Sequence, residues 1–296
     1  MEDHYVRALY VSGGIRAIAC SAGELARTVC TLQQASPTVS VALGRGLAAG
    51  ALMGALLKPG QRVGLKFEGN GPLGKMIIEA DSDGSVRGCA GNPAAEAEPV
   101  NGRWNVAGVI GKAGFLTVSR DLGMGGAPYR GMVQLATSEI GDDLACYLTD
   151  SEQIPSAVGL GASLDSAGHI SRCAGFLVQA LPKADPGEIE RIMERISSLP
   201  PLTDLVKDGP KAIIAELFGD AASYVLLETK PLVFRCGCSR EKVERALLSF
   251  GAGELRDIQA KVGEAEVSCE FCRQRYHFDG VELESLADRL AAQEKV

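Results

Sequence analysis

The stretch that organises this sequence is "FRCGCSR", Phe234 to Arg240, followed within one short domain's length by "VSCEFCRQRYHF", Val267 to Phe278. Cys236 and Cys238 stand one residue apart, Cys269 and Cys272 two apart, and residues 239 to 268 separate the pairs. Two thiolate pairs converging on one point are what tetrahedral zinc requires, with sulfur about 2.3 Å from the metal. As core residues they make poor sense. Cys236 and Cys238 in an extended strand would share a face, and Gly237 adds nothing to a core. Gly237 reads instead as backbone freedom that lets both sulfurs reach one metal. Arg235, Arg240, Arg273 and Arg275 would then moderate the charge of a four-thiolate centre. His277, five residues past Cys272, reads as a neighbouring or surface histidine; His4 and His169 show no partner pattern.

The one-residue spacing is the unusual half, since ribbons and fingers place two to four residues between ligands. Vicinal thiols can also pair with each other once a metal leaves, which would destroy the site and the fold that depends on it. The four residues therefore read either as a permanent staple or as an oxidant-sensitive latch. Spacing alone does not decide between them.

The rest of the 296-residue chain is ordinary for a protein with a real core: 46% apolar and 23% charged. A net charge of -7 gives no support to a general nucleic-acid binder, which would show a basic domain or stripe. "MEDHYVRALYVSGG" lacks the basic and apolar regions of a secretory signal. "TVSVALGRGLAAGALMGALL" is broken by Arg45 and reads as a buried helix rather than a membrane span. Nine cysteines, an odd number, sit poorly with a paired disulfide framework. The expected location is the cytoplasm, where thiols stay reduced.

The patterning predicts an α+β fold in three parts. Residues 1–181 form a mixed sheet domain with helices: a hairpin over "YVRALYVSGGIRAIAC", a helix opened by a Ser21–Glu24 capping box, a helix starting at Pro37, and a hairpin from Lys75 to Cys89. Residues 182–230 form a helical linker whose helix after Pro186 puts Ile189, Ile192, Met193 and Ile196 on one face. Residues 231–296 form a small C-terminal zinc-binding α+β domain with little core of its own. Cys20, Cys30, Cys89, Cys146 and Cys173 read as small buried hydrophobes in strands and helices.

Taken together, both cysteine pairs resemble the thirty-three-kilodalton heat-shock protein family of bacterial redox-regulated holdase chaperones. So do "ALGRGLAAGALMGALLK" (Ala42 to Lys58), "GNGPLGKMIIEADSDGSVRG" (Gly69 to Gly88), "FLTVSRDLG" (Phe115 to Gly123), "PYRGMVQL" (Pro128 to Leu135) and "DDLACYLTDSEQIPSAVGLG" (Asp142 to Gly161). The resemblance spans essentially the whole chain. It implies that Cys236, Cys238, Cys269 and Cys272 hold one Zn2+ per chain in the reduced, idle state. It further implies that oxidation pairs Cys236 with Cys238 and Cys269 with Cys272, releases zinc and destabilises the linker. The oxidised chain would dimerise and bind unfolding client proteins without ATP. Motifs do not show which surface holds clients; the Ile189, Ile192, Met193 and Ile196 face is the candidate.

Two other functions compete. An enzyme finds little support: "GPLG" and "GRGLAAG" match neither the phosphate-loop nor the dinucleotide pattern, and no histidine accompanies Asp142, Asp143, Asp150 or Glu152. A constitutive zinc-ribbon module binding protein or nucleic acid could use Arg235, Arg240, Arg273 and Arg275 with Tyr276 and Phe278. Glu241, Glu244, Glu264, Glu266 and Glu270 are interleaved with them and oppose a polyanion partner. Neither nucleic acid nor membrane is expected as a partner.

Overall fold

A computed structural model describes residues 2–219 and 223–293, and the fold is α+β. The chain divides into two compact units, one ending at Arg235 and the other starting at Cys236. The expected linker, 182–230, includes residues 220–222 and the expected C-terminal domain includes 294–296; both stretches lie outside the described residues.

The first unit is built on two sheets. In the five-stranded antiparallel sheet the order is β10 (Tyr224–Pro231), β1 (His4–Tyr10), β2 (Ile15–Ser21), β9 (Ile170–Ala180) and β8 (Ser156–Leu164). β2 and β9 are apolar almost throughout because both their faces are covered. Ile18, Cys20, Cys173 and Leu177 face one layer of helices, while Ala17, Ala19, Phe176 and Val178 face another.

The six-stranded sheet runs β11 (Val233–Phe234), β5 (Ser85–Ala90), β4 (Lys75–Asp81), β3 (Arg62–Gly69), β6 (Gly114–Asp121) and β7 (Tyr129–Gln134). Only the two-residue β11 is parallel to its neighbour. Val63, Leu65 and Phe67 alternate with polar residues along β3, so one face is buried. The outer face carries ion pairs from Arg62 to Asp81 and from Arg87 to Glu79.

Between the sheets lie α1 (Gly23–Gln33) and α2 (Pro37–Gly54), their side chains in one core with residues of both sheets. α2 is buried on almost every side, as its small, apolar residues require. A Cβ at Gly50 would lie 2.5 Å from Ile78 Cγ2, so the glycine is what admits β4 this close. No helix among the described residues is long and apolar enough to cross a membrane.

The Ser21–Glu24 capping box does not form. α1 begins one residue later than that box requires, and Asp3 caps it from β1's approach: its Oδ2 accepts from Leu25 N at 2.7 Å, and Ser21 Oγ donates to its Oδ1 at 3.4 Å. At Pro37 the expectation is met, with Ser36 Oγ accepting from Val39 N. α3 (Val106–Ile110) and α4 (Ile140–Cys146), the latter running into a π-helical turn, complete that layer.

On the far face of the five-stranded sheet lie α5 (Pro186–Ser198), α6 (Leu202–Leu205) and α7 (Pro210–Phe218). Asp185 caps α5, and Pro200 and Pro201 follow its end. Phe218 stacks on Tyr10 with ring centroids 5.5 Å apart, tying α7 to β1.

The second unit contains α8 (Arg240–Leu248), α9 (Ala252–Lys261), the hairpin β12 (Glu264–Ser268) with β13 (Arg275–Asp279), and α10 (Gly280–Gln293). Val243, Leu247, Leu255, Phe278, Leu283 and Leu286 make its small core. So few large side chains leave little margin for stability without a further constraint.

Candidate metal centre

The four clustered cysteines come from two local structures. Cys236 and Cys238 lie in the short segment between β11 and α8. Ser239 ends that segment by accepting from Lys242 N at 3.4 Å, and the Lys242 ammonium donates to the Gly237 carbonyl. Cys269 and Cys272 lie in the turn of the β12–β13 hairpin. Arg273 N donates to Cys269 O at 3.0 Å and Cys269 N to Gln274 O at 2.9 Å. Arg273 takes a left-handed backbone, φ 59°, which closes the turn.

All four sulfurs lie within 4.8 Å of one another. Cys236 Sγ is 3.6 Å from Cys269 Sγ, and Cys238 Sγ is 3.4 Å from Cys272 Sγ. A tetrahedron of zinc–sulfur bonds needs sulfurs about 3.8 Å apart, so the cluster fits that ion with little movement. The set could hold a metal ion, and its soft sulfur donors favour zinc over hard cations.

Ionisation within the cluster is uneven. Desolvation resists charge at Cys236, but the backbone N–H of Cys238 and the thiols of Cys272, Cys238 and Cys269 outweigh it and bring the group down to about 7. Desolvation pushes Cys269 up and Cys272 up to about 12. A bound cation would favour the thiolate form of its ligands.

Two expectations about the surroundings need correction. Gly237 has no left-handed backbone, and a Cβ there would meet only the mobile end of Lys242 at 3.4 Å. Its want of a side chain is not required by this arrangement. Three of the four arginines are also engaged elsewhere. Arg235 pairs with Asp83 at 2.9 Å, Arg240 with Glu282 at 2.6 Å and Arg275 with Glu266 at 3.3 Å. Backbone N–H groups face the cluster, and so does a hydroxyl that the spacing did not single out: Tyr276 Oη lies 3.1 Å from Cys238 Sγ. The period-2 alternation of β13 carried the signal, because Tyr276 shares a face with the buried Phe278.

His277 stands apart from the sulfurs, its Nε2 2.8 Å from Glu264, whose hydrogen bond raises its pKa. Phe278 is 1% exposed, with the Arg240 guanidinium 4.2 Å above its ring. It is not available to stack on a base.

The remaining cysteines belong to the first unit. Cys20, Cys30, Cys89 and Cys173 are buried and Cys146 is half-buried. Of the α5 face, Ile192 is 2% exposed, Ile189 and Ile196 pack partly against the sheet, and Met193 is 48% exposed. Ile189, Ile192 and Met193 line an apolar cleft of about 200 Å³ with Ile15, Ala157 and Val178.

Known proteins are similar to this chain over nearly its whole length. The family model described as "Hsp33 protein" matches residues 3–279. A "33 kDa chaperonin" of Pelobacter propionicus is 65% identical over 97% of this chain and 95% of its own, and one of Geobacter sulfurreducens is 51% identical over 99% and 97%. The crystal structure of a 33 kDa chaperonin (heat shock protein 33 homolog) from Thermotoga maritima superposes with a TM-score of 0.89. It is 33% identical, over 98% of this chain and 99% of that one.

Proposed function

The chain belongs to the Hsp33 family, and on that footing we propose that it is a redox-regulated, ATP-independent holdase that binds unfolding proteins in the cytoplasm under oxidative stress. One observation carries the reading: four thiols from two separate turns meet within 4.8 Å, close enough to serve one metal ion together or each other in pairs. Cys236, Cys238, Cys269 and Cys272 are the ligands of one Zn2+ in the reduced, idle chain. Zinc, when bound, holds the four sulfurs as thiolates and staples a unit whose own core is small.

Thiolates are also the form that oxidants attack, so metal retention and oxidant sensitivity depend on the same atoms. Oxidation joins Cys236 to Cys238 and Cys269 to Cys272, which removes the ligand set and with it the order of the second unit's helices and hairpin. The chain runs back from Cys236 through β11 and β10 to α5–α7, the relay segment within residues 182–230. Its apolar face of Ile189, Ile192, Met193 and Ile196, with the sheet surface it covers, is the client-binding surface. Dimerisation of the oxidised chain enlarges that surface. No step in this cycle turns over a substrate.

The test is reversibility. Peroxide with mild heating should switch on suppression of client aggregation, and reductant with zinc should switch it off. Equal activity in both states would leave only a constitutive binding module.

A further inference from the structure

We propose that Tyr276 is a positioning residue of the metal centre, which restrains oxidation at Cys238 by donating its phenolic proton to that sulfur. The inference rests on the metal-site reading above. Tyr276 Oη lies 3.1 Å from Cys238 Sγ, and on that same sulfur Cys272 Sγ closes to 3.4 Å. A metal-bound thiolate has no proton to give, so the hydroxyl is the donor.

The hydroxyl is delivered by a rigid element. Tyr276 sits opposite Val267 in the β12–β13 register and packs, partly buried, against the small core that holds Phe278. The flanking residues point to the other face, where Arg275 pairs with Glu266 and His277 with Glu264. The hairpin register therefore keeps the ring on the face of the small core. Its neighbours spend their polar groups elsewhere, leaving the phenol on the sulfur.

The chemistry follows from where the electron pair goes. A thiolate sulfur attacks peroxide with a lone pair, the O–O bond breaks, and hydroxide leaves a sulfenic acid behind. A second thiolate then attacks that sulfur, the S–O bond breaks, and hydroxide leaves again. The two hydroxides take up two protons, so two thiols and one peroxide give one disulfide and two waters. A hydrogen bond to sulfur draws density from the attacking lone pair and slows the first step. Within its pair, Cys238 is thereby held back from the first attack by the phenol. The same bond adds to metal retention, as outer hydrogen bonds to ligands do.

The test uses the full chain, reduced and loaded with Zn2+ or, for its spectrum, Co2+. Tyr276→Phe keeps the ring and removes only the hydroxyl. It should hold Zn2+ about 10-fold more weakly and release it several-fold faster under peroxide. Its thiolate-to-cobalt charge-transfer band should move to lower energy. Dimedone should trap more sulfenic acid at Cys238 than it does in the wild type. Val267→Ala loosens the same packing but leaves the hydroxyl, and should keep the wild-type band and trapping pattern. The proposal is overturned if Tyr276→Phe matches the wild type in zinc affinity, band and trapping. It is equally overturned if Val267→Ala reproduces the band shift. A wild-type chain that takes up neither metal would remove the site reading itself.

Discussion

Cys173 Sγ donates to the carbonyl of Gly44 at 3.1 Å, and it is the middle rung of a ladder. Cys30 Sγ reaches Ser40 O at 3.7 Å and Cys20 Sγ reaches Ala48 O at 3.9 Å. Residues 40, 44 and 48 are successive turns of one stripe of α2, so thiols from α1, β9 and β2 each meet one turn. Burial raises all three pKa values: Cys30 to about 11, Cys20 to about 12, and Cys173 well above its ordinary value. Such thiols should be silent toward oxidants. Alkylation of the metal-stripped chain at neutral pH should modify the half-buried cluster before the buried thiols, starting at Cys236. Cys20, Cys30 and Cys173 should react only as the first unit unfolds, as peptide mapping would show.

The same shifts predict a loss of stability in alkali. An unfolded cysteine ionises near 9.0, whereas folded Cys30 and Cys20 stay protonated to about 11 and about 12. Between those values the unfolded chain binds fewer protons, so stability falls as pH rises. Urea midpoints of the first unit should hold steady below pH 9 and decline from there toward pH 12. Replacing Cys20 with Ala should flatten that decline.

Asp3→Ala should cost the first unit about 1–2 kcal/mol, the usual range for a lost helix cap. Asp3→Asn should recover part of this, since its amide oxygen can still accept from Leu25 N. Urea unfolding of the two variants would measure both, and equal stability of Asp3→Ala and wild type would show the contact to be idle.

Within the α5 face, burial separates the residues. Ile192→Ala should destabilise α5 packing by about 2–4 kcal/mol, while Met193→Ser, at an exposed site, should change stability by less than about 0.5 kcal/mol. Ile192→Asp should free α5 from the sheet and suppress client aggregation while the chain is still reduced and zinc-loaded. Loss of holdase activity in both redox states would instead show that Ile192 itself is needed to grip clients.

Each unit has its own core, so metal removal should act on one of them first. Chelation of the reduced chain should make residues 236–296 sensitive to protease while residues 1–235 persist as a fragment. Cys272→Ser should behave as though chelated. Cys173→Ser, far from the cluster in sequence, should not.

What the sequence disclosed and what it concealed divide along a physical line. Period-2 and period-3.6 patterns and turn residues are local, so the β1–β2 and β4–β5 hairpins, α2, α5 and the hairpin of the second cysteine pair could all be read directly. The convergence of the two cysteine pairs was legible because thiolates at such spacing have few other uses. Partners supplied across long separations were not. Asp3 replaces the local cap of α1 from twenty residues away, and β11 pairs with β5 through only two residues. The charge arrangement misled for the same reason. Arg240 and Arg275 lie beside the cysteines in sequence, but carboxylates brought in by folding claim them. Gly237 misled differently, because the present backbone asks nothing of it that another residue could not give.

The most direct test of the central claim follows zinc and holdase activity in one sample. The reduced, zinc-loaded chain is treated with peroxide at mildly elevated temperature. Released Zn2+, thiol loss and suppression of aggregation of a heat-denatured client are read over the same time course. The account predicts one zinc released and four thiols lost per chain, with Cys236–Cys238 and Cys269–Cys272 disulfides by mass spectrometry. Activity should rise with zinc release and fall again on adding reductant and Zn2+. Zinc that stays bound while activity is equal before and after oxidation would contradict it.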